Sequence, residues 1–396
     1  MSPGPREIGI GLIGAGWMGD LHSVSYRRVR DHYPELPVRP RLVIGADAVE
    51  SRARDTVDRL GYREWTTDWH EVIAHPEVEA VSITAPNDMH LELASAAAAA
   101  GKHFWGEKPL GRFPEETAAI AAAVEEAGIC TTVGFNYRHA PAVQHARQLI
   151  AAGELGEVNH YRGFFLADYA SSPEGALSWR FRRSVAGLGV LGDLMSHVVD
   201  MAHCLVGPLA SVAAQRETLI GQRPLPLDGA GSHFASAAGG DLGKVENEDY
   251  VGAIARFHGG VPAMLEASRV IVGPRVRMGF EVNGTLGALA WDFQRMNELE
   301  LYLPGMSRGD AGYATVYAAP GHGDFARFEP GSGIPMGYGD LKVIEARLFL
   351  ESVLDGRPRQ PGAPEALAMA RVLSAMEQSF DSGAWATVGE IPAARR

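Results

Sequence analysis

The feature that most constrains the fold of this chain is a glycine-rich turn that follows a short apolar run. Residues 8–13 are apolar enough for a fully buried parallel strand, and Gly14-Ala15-Gly16-Trp17-Met18-Gly19 follows directly. Glycines at this spacing permit a tight turn, bring backbone N–H groups close to a pyrophosphate, and let the next helix pack closely on the strand. With a helix predicted to about residue 29, the stretch predicts dinucleotide binding at a helix N-terminus. The alternative is a tight glycine turn without a ligand.

A second predicted strand, residues 41–46, ends at an acidic residue. Asp47 is able to hydrogen-bond the adenosine ribose hydroxyls and to repel a 2′-phosphate, so it favours NAD. Arg52 and Arg54 follow closely and are able to bind a 2′-phosphate, which leaves NADP open. Asp47 also has the chemistry to cap the next helix, and one carboxylate is able to serve both purposes.

Strands and helices alternate up to about residue 140. Strands are predicted at residues 80–84, 102–105 and 130–133, with helices at 91–100 and 114–127. This α/β alternation predicts a doubly wound parallel sheet, in which ligands lie beyond the carboxyl ends of the strands. Five residues fall at such ends and are predicted to lie on one edge of the sheet: Gly14, Asp47, Pro86, Lys108 and Asn136.

Composition excludes some classes of partner. The chain has 396 residues, enough for two domains, and its net charge of -12 argues against nucleic acid or an anionic membrane as the main partner. Cys130 and Cys204 are far apart and match no metal or redox spacing, which favours the reducing cytoplasm. The first residues do not form a secretion signal, and no apolar run reaches the length of a membrane span.

The alternation of strands and helices ends near residue 150. Apolar, alternating segments without intervening helices occur at residues 250–257, 261–270, 276–282, 289–293 and 299–303, which predicts a large, open, mostly antiparallel sheet. Glycine-rich segments at 221–246 and 304–339 are predicted as loops, and helices are predicted at 341–354 and 364–380. We therefore divide the chain into a dinucleotide-binding Rossmann domain, residues 1–140, and a second α/β domain, residues 141–396.

The chain resembles the glucose-fructose oxidoreductase and inositol dehydrogenase family, Gfo/Idh/MocA. Five segments carry the resemblance: Gly14 to Gly19, Thr84-Ala85-Pro86-Asn87, Glu107-Lys108-Pro109, Gly134-Phe135-Asn136-Tyr137-Arg138, and Gly192-Asp193 to His197. Trp179-Arg180-Phe181, followed by Ala186-Gly187 and Leu191-Gly192-Asp193, is similar to the levoglucosan dehydrogenase branch. The chain departs from the family pattern at Trp105-Gly106, where many members carry cysteine, and at Leu188, where many have glycine. The resemblance implies a second domain that binds substrate and forms a homodimer or homotetramer through its open sheet.

The resemblance also implies a catalytic set of Lys108, Asp193 and His197. Oxidation of a secondary alcohol sends a hydride to nicotinamide while a base takes the hydroxyl proton. His197 is the candidate base because an imidazole ordinarily changes protonation near neutral pH, and Lys108 supplies a positive charge to the developing alkoxide, but which of the two carries the proton stays open. Asp193, predicted four residues before His197 on one helix face, orients the imidazole or binds a substrate hydroxyl.

Further residues are predicted to contact the ligands. The predicted cofactor-binding residues are Gly14, Gly16, Trp17, Met18, Asp47, Thr84, Pro86, Asn87, His90, Glu107, Lys108, Asn136, Trp179 and Arg180. The predicted substrate-binding residues are Lys108, Tyr137, Asp168, Asp193 and His197. Packing or solvated-loop roles are open for Tyr137, Asp168, Trp179 and Arg180, and Glu107 is able to hold its strand end instead. Asp193 and His197 also match a surface pair or, with Asp200 and His203, a metal site, but no metal is predicted.

These residues predict an NAD-dependent dehydrogenase, with NADP as a possible cofactor, that oxidises a ring hydroxyl of a sugar, anhydrosugar or cyclitol. Two alternatives stay open. One is a redox-neutral enzyme that oxidises a sugar transiently before elimination or hydrolysis, and the other is a non-catalytic dinucleotide sensor.

Overall fold

The chain folds into two compact units. The computed structural model describes residues 5–226, 241–303, 305 and 312–392. The first unit comprises Met1–Gly111, Glu115–His139 and Met336–Leu367, and the second comprises Arg112–Pro114, Ala140–Pro335 and Ala368–Arg396. The sequence pattern predicts a single boundary at residue 140, whereas in the structure Met336–Leu367 also belongs to the first unit.

The first unit contains a six-stranded parallel sheet in the order β3-β2-β1-β4-β5-β6. Its strands are β1 (Arg6–Ile13), β2 (Val38–Ala46), β3 (Glu64–Thr66), β4 (Ala80–Ile83), β5 (His103–Gly106) and β6 (Thr131–Val133). The helices between them are α1 (Trp17–His32), α2 (Glu50–Asp55), α3 (Trp69–Ala74), α4 (His90–Ala99) and α5 (Pro114–Ala127). This order reverses at β1 and β4, which is where doubly wound sheets bind dinucleotides. The predicted Rossmann fold is therefore confirmed.

Strand β2 begins earlier than its sequence predicts. It starts at Val38 and includes Pro40, which pairs with Ile8 of β1. On its other side β2 meets β3 only from Ile44 onward. At Pro40, β2 therefore has a neighbouring strand on one side only, and sheets tolerate proline at such edge positions.

The second unit contains a nine-stranded mixed sheet in the order β16-β15-β14-β13-β7-β12-β11-β8-β17. Its strands are β7 (Val158–Ala167), β8 (Leu209–Glu217), β11 (Tyr250–Phe257), β12 (Pro262–Ser268), β13 (Val276–Gly284), β14 (Ala288–Asp292), β15 (Glu298–Tyr302), β16 (Ala314–Tyr317) and β17 (Ala386–Thr387). Only the β7–β12 pair is parallel among these described strands. The mostly antiparallel sheet predicted for this half is confirmed.

Parts of both predicted glycine-rich loops form strands. A separate two-stranded ribbon joins β9 (Gln222–Pro224) to β10 (Leu242–Lys244), and β16 lies within the second glycine-rich segment. Residues 227–240, 304 and 306–311 of these segments lie outside the described residues. Helices α9 (Tyr338–Asp355) and α10 (Ala363–Ser382) occupy the positions predicted for them.

Helices α6 (Pro141–Ala151) and α8 (Ser196–Leu205) pack against each other and on the sheet of the second unit, α6 at β14 and β15 and α8 at β7 and β12. The unit also contains the short helix α7 (Arg183–Ala186) and most of α10. The helical stretch Arg183–Leu205 is the one described stretch long and apolar enough to cross a membrane, and 89% of its apolar window is buried. Core helices meet the same criteria, and this burial assigns the stretch to the interior of the second unit. The opposite sheet face exposes the cross-strand pair Ile254 and Met264, by 49% and 53%.

Candidate functional site

The glycine turn at the end of β1 adopts a conformation that only glycine tolerates well. Gly14 has a φ of +99°, and a Cβ atom there would lie 2.6 Å from the Ala85 nitrogen at the end of β4. A Cβ at Gly19 would lie 2.2 Å from the Gly14 oxygen, so α1 packs closely on the turn. Thr84 Oγ1 donates a hydrogen bond of 2.5 Å to the same Gly14 oxygen. These contacts leave the α1 N-terminus at the carboxyl edge of the sheet.

Asp47 lies beside this turn. Its Oδ2 accepts a hydrogen bond of 2.9 Å from the Ala15 N–H, and its Oδ1 accepts one of 2.9 Å from the Val49 N–H. Val49 is the residue that caps α2. Asp47 therefore joins the glycine turn to the start of α2, and its half-buried carboxylate retains lone pairs for a ribose hydroxyl.

An aromatic cluster adjoins the same helix terminus. Trp17 is 66% exposed and stacks on Tyr338, with ring centroids 5.7 Å apart. The buried Tyr137 ring meets Tyr338 edge-on at 6.1 Å. Tyr338 begins α9, far from Trp17 in sequence, and sequence reasoning missed it because no local pattern relates the two residues. Met18 is half-buried.

Glu107, directly after β5, is held in a buried charged network. Its Oε1 accepts hydrogen bonds from Lys342 Nζ at 2.6 Å and from His22 Nε2 at 3.1 Å. Burial opposes the charge of Glu107, but Lys342 and then His22 hold the pKa of this carboxyl well below its usual value. Burial lowers the pKa of His22 to about 4. Glu107 therefore fixes the end of β5 next to the half-buried Lys108.

The departure of this chain from the family pattern at Trp105 has a physical explanation in the same network. Trp105 is fully buried, and the His22 ring stacks on it with centroids 3.5 Å apart. Lys342 Nζ lies 5.5 Å from the Trp105 ring centroid, within cation–π range. The indole thus covers the neutral imidazole and the buried ammonium at once.

His90 and Asn136 lie at the same strand-end edge. The two His90 ring nitrogens lie 2.9 Å from the carbonyl oxygens of Ala85 and Pro109, which ties the end of β4 to the Lys108-Pro109 turn. Asn136 is buried, and neither polar atom of its amide has a hydrogen-bond partner within the described chain. Unsatisfied buried amides are rare, so Asn136 is suited to a ligand. Pro86 is exposed and Asn87 is half-buried on the short helical turn Asn87–Met89.

In the second unit, Asp193 and His197 lie on one continuous helical stretch, but it is not a regular α-helix. Leu191–Met195 forms a π-helical turn that runs into α8, so Asp193 belongs to the turn and His197 to α8. Such turns recur at functional sites. The π-helical turn corrects the sequence prediction that Asp193 and His197 share one regular helix. His197 is buried, with the Phe165 ring centroid 5.9 Å from its own.

Tyr169 is the functional candidate that sequence reasoning missed in this unit. Its hydroxyl donates a hydrogen bond of 2.8 Å to Asp193 Oδ2. The neighbouring Asp168, predicted to bind substrate, instead accepts a hydrogen bond of 2.7 Å from Arg275. Both residues lie in the turn that follows β7, where the Ser171 N–H donates to the Asp168 carbonyl oxygen, and no local sequence pattern indicated which of the two contacts Asp193.

Trp179 and Arg180 form a local stack. The Arg180 guanidinium carbon lies 4.4 Å from the Trp179 ring centroid, and Asn247 Nδ2 donates to the Arg180 carbonyl oxygen at 2.9 Å. Both side chains are half-buried. Across the described residues, no group of three or more His, Cys, Asp and Glu side chains is placed to hold a metal.

The first unit fits a dinucleotide. A Cβ added at Gly16 would meet nothing within 4 Å, so space is open at the α1 N-terminus where a pyrophosphate binds best. Asp47 offers acceptors for ribose hydroxyls, and the Asn136 amide offers both a donor and an acceptor that the protein does not use.

Comparison with known proteins agrees with this geometry. Residues 8–135 match the oxidoreductase family with an NAD-binding Rossmann fold, and residues 143–290 match the GFO/IDH/MocA C-terminal domain. The levoglucosan dehydrogenase of Pseudarthrobacter phenanthrenivorans is 36% identical over 389 residues, which cover 98% of this chain and 100% of that protein. The scyllo-inositol 2-dehydrogenase (NAD(+)) of Bacillus subtilis is 34% identical over 202 residues, which cover 51% of this chain and 55% of that protein.

Comparison with solved structures also finds levoglucosan dehydrogenases. A levoglucosan dehydrogenase in complex with NADH and L-sorbose has a TM-score of 0.92 at 35% identity, covering 98% of this chain and 100% of that one. The complex with NADH and levoglucosan has a TM-score of 0.91 at 34% identity, covering 97% and 100%. Both matched segments and the full-length relatives lead to one conclusion: the chain belongs to the Gfo/Idh/MocA oxidoreductase family and carries that family's NAD-binding Rossmann fold.

Proposed function

We propose that this protein is an NAD-dependent dehydrogenase that oxidises a secondary hydroxyl of a cyclic sugar, anhydrosugar or cyclitol. The observation that carries the proposal is the presence of all three polar side chains that the chemistry requires. Lys108 follows the end of a central parallel strand, and Asp193 and His197 lie on the π-helical turn and on α8. The full-length similarity to a levoglucosan dehydrogenase supports an anhydrosugar among the substrates.

The proposed roles follow from charge and proton chemistry. Bound NAD supplies the hydride acceptor. His197 takes the hydroxyl proton, because an imidazole changes protonation near neutral pH. The Lys108 ammonium stabilises negative charge on the substrate oxygen as the proton leaves. Asp193 accepts a hydrogen bond from a neighbouring substrate hydroxyl.

Most of the proposed cofactor contacts belong to the first unit. We infer that Gly14, Gly16, Trp17 and Met18 surround the pyrophosphate at the α1 N-terminus, where unpaired N–H groups favour an anion. Asp47 binds ribose hydroxyls and favours NAD over NADP. The remaining proposed contacts in that unit are Thr84, Pro86, Asn87, His90, Glu107, Lys108 and Asn136, and those in the second unit are Trp179 and Arg180.

The proposal extends to assembly and location. The open sheet face that exposes Ile254 and Met264 is assigned to an interface between copies in a homodimer or homotetramer. Sedimentation of wild type and an Ile254→Lys/Met264→Lys variant tests it, since loss of the larger species is expected. The cytoplasm remains the proposed location.

The decisive experiment follows reduced-nicotinamide absorbance with purified protein, NAD and NADP separately, and a panel of levoglucosan, aldoses and inositols. We expect turnover with one substrate class and a higher kcat/KM with NAD. No change in reduced-nicotinamide absorbance with any substrate, together with cofactor retained through purification, would support a redox-neutral enzyme or a sensor instead. Turnover that survives in His197→Ala would remove the proposed base.

A further inference from the structure

A tyrosine outside the expected catalytic set contacts Asp193 directly. Tyr169 follows β7, and its hydroxyl donates to Asp193 Oδ2 at 2.8 Å. One of the two carboxylate oxygens of Asp193 is therefore engaged by a neutral donor from another element of the same unit. The bond joins the segment after β7 to the π-helical turn that carries Asp193.

The surroundings of Tyr169 keep its hydroxyl protonated, so that it acts as a hydrogen-bond donor. Burial, and next the charge of Asp193, raise the pKa of this hydroxyl, while the cations of Arg269 and Arg180 act in the opposite direction. Since a carboxylate has no proton to give, the hydroxyl is the donor and Asp193 Oδ2 is the acceptor. The pair is thus a charge-assisted hydrogen bond, the stronger class.

A buried stack anchors the segment that carries Tyr169. The guanidinium carbons of Arg223 and Arg269 lie 4.3 Å and 4.6 Å from the centroid of the Phe181 ring. Arg223 donates to the carbonyl oxygens of Ala170 and Ser172, the residues that follow Tyr169. These two side-chain hydrogen bonds come from a fully buried arginine, so the backbone next to Tyr169 has little freedom to move.

The second arginine of the stack is itself neutralised and fixed. Arg269 Nε donates to Asp249 Oδ1 at 2.8 Å, and Arg269 Nη2 donates to Asn247 Oδ1 at 2.9 Å. The Ala170 N–H donates to the Arg269 carbonyl oxygen at 3.0 Å. Both ends of the stack therefore connect to the residue next to Tyr169.

We propose that Tyr169 is a positioning residue that holds the Asp193 carboxylate in one orientation as an acceptor for a substrate hydroxyl, with the Arg223–Phe181–Arg269 stack as its anchor. The inference rests on the proposed function, because it specifies how the substrate contact of Asp193 is maintained. An aspartate side chain on a π-helical turn can adopt several rotamers, and a hydrogen bond from a rigid segment stabilises one of them.

The test compares Tyr169→Phe with wild type on whichever sugar or cyclitol the panel identifies. Removing one hydroxyl is expected to lower kcat/KM by about tenfold or more, with KM for NAD within about twofold, because positioned hydrogen bonds act on the reacting complex. The acidic limb of the pH profile of kcat/KM contains the protonation of both the His197 base and Asp193, and its Asp193 part should move to higher pH, since a carboxylate that loses a donor is protonated more easily. A role in folding alone would not move that limb.

Tyr250→Phe is the matched control. Tyr250 lies on β11 of the same sheet, and its hydroxyl also pairs with a carboxylate, that of Glu266. The same chemical deletion is made there without contact to Asp193, and kcat/KM should stay at the wild-type value.

A double-mutant cycle with Asp193→Ala, which removes the acceptor, tests whether Tyr169 acts through Asp193. Tyr169→Phe should cause no further loss of kcat/KM in the Asp193→Ala background. An equal loss in both backgrounds, or a Tyr169→Phe variant within twofold of wild type, would overturn the proposal.

The same cycle measured in thermal midpoints separates this inference from the proposed function. Non-additive midpoint shifts are expected for the pair whether or not the panel identifies a substrate, and additive shifts would overturn the pairing. Inactive wild type with non-additive midpoints would reject the dehydrogenase while leaving the Tyr169–Asp193 contact in place.

Discussion

Lys342 Nζ lies 2.6 Å from Glu107 Oε1, although 235 residues separate the two in sequence, and the lysine is fully buried. Lys342 also lies 2.8 Å from Glu345 Oε2, so one buried ammonium serves two buried carboxylates. Burial opposes the charge of Lys342, but Glu107 and Glu345 together raise its pKa. The contact attaches α9 to the strand end that precedes Lys108.

Lys342→Met should destabilise the protein strongly. Deleting one partner of a buried ion pair costs about 3–5 kcal/mol, because the remaining charge stays buried without compensation. Chemical denaturation checks the midpoint, with exposed Lys244→Met as the control. Glu107→Gln in the Lys342→Met background should recover part of the loss. A wild-type midpoint for Lys342→Met would show that the network contributes no net stability.

Acid should destabilise the first unit through His22. The pKa of His22 falls from 6.5 when unfolded to about 4 in the folded protein, because burial disfavours its charged form. Between these values the unfolded state binds more protons, so the stability contribution is full above 6.5 and is lost as pH falls through 4, by about 3 kcal/mol at most. His22→Gln should flatten this pH dependence of the thermal midpoint. His258→Gln, at an exposed histidine, should leave it as in wild type.

Two glycine substitutions should separate folding from cofactor binding. Gly14→Ala places a Cβ 2.6 Å from the Ala85 nitrogen at a φ of +99°, so it should lower the thermal midpoint. Gly16→Ala meets nothing within 4 Å and should leave the midpoint unchanged, while its methyl group reduces NAD affinity by blocking close approach of a pyrophosphate. Calorimetric titration with NAD checks the second variant. Wild-type affinity in Gly16→Ala would place the pyrophosphate elsewhere.

Asp47→Asn should change cofactor preference with little change in folding. The amide oxygen retains one acceptor for the Ala15 or Val49 N–H, so the turn is largely kept. Loss of the negative charge should weaken NAD and improve NADP relative to it, by about tenfold in the ratio of dissociation constants. Titration with both cofactors measures the ratio. Equal changes in the dissociation constants of NAD and NADP would mean that Asp47 does not discriminate between the cofactors at the ribose 2′ position.

His197→Ala should abolish turnover and keep dinucleotide affinity, because His197 belongs to the second unit and not to the Rossmann sheet. Loss of a general base typically reduces the rate by about 10²–10⁴-fold. Steady-state rates and NAD titration of the same preparation check both parts. Asp200→Asn, on the same helix α8, gives the comparison variant for any effect of the substitution on folding.

Local sequence signals determined most of the fold. Apolar runs and glycine positions predicted β1, β4, β5 and β6 because buried parallel strands are apolar on both faces. Alternation of apolar and polar residues predicted the antiparallel strands of the second unit for the corresponding reason. The family resemblance supplied the residue set Lys108, Asp193 and His197, whose local positions the structure now describes and whose roles stay predictions.

Tertiary structure alone decided what surrounds those residues. Nothing in the sequence near Glu107 indicates Lys342, and nothing near Asp193 indicates a π-helical turn or the hydroxyl of Tyr169. Periodicity reports which side of its own element a residue occupies, whereas these contacts join elements whose separation along the chain carries no local signal. The sequence by itself therefore determined the two sheets and the family, while packing between distant segments decided which buried charges are compensated and how Asp193 is held.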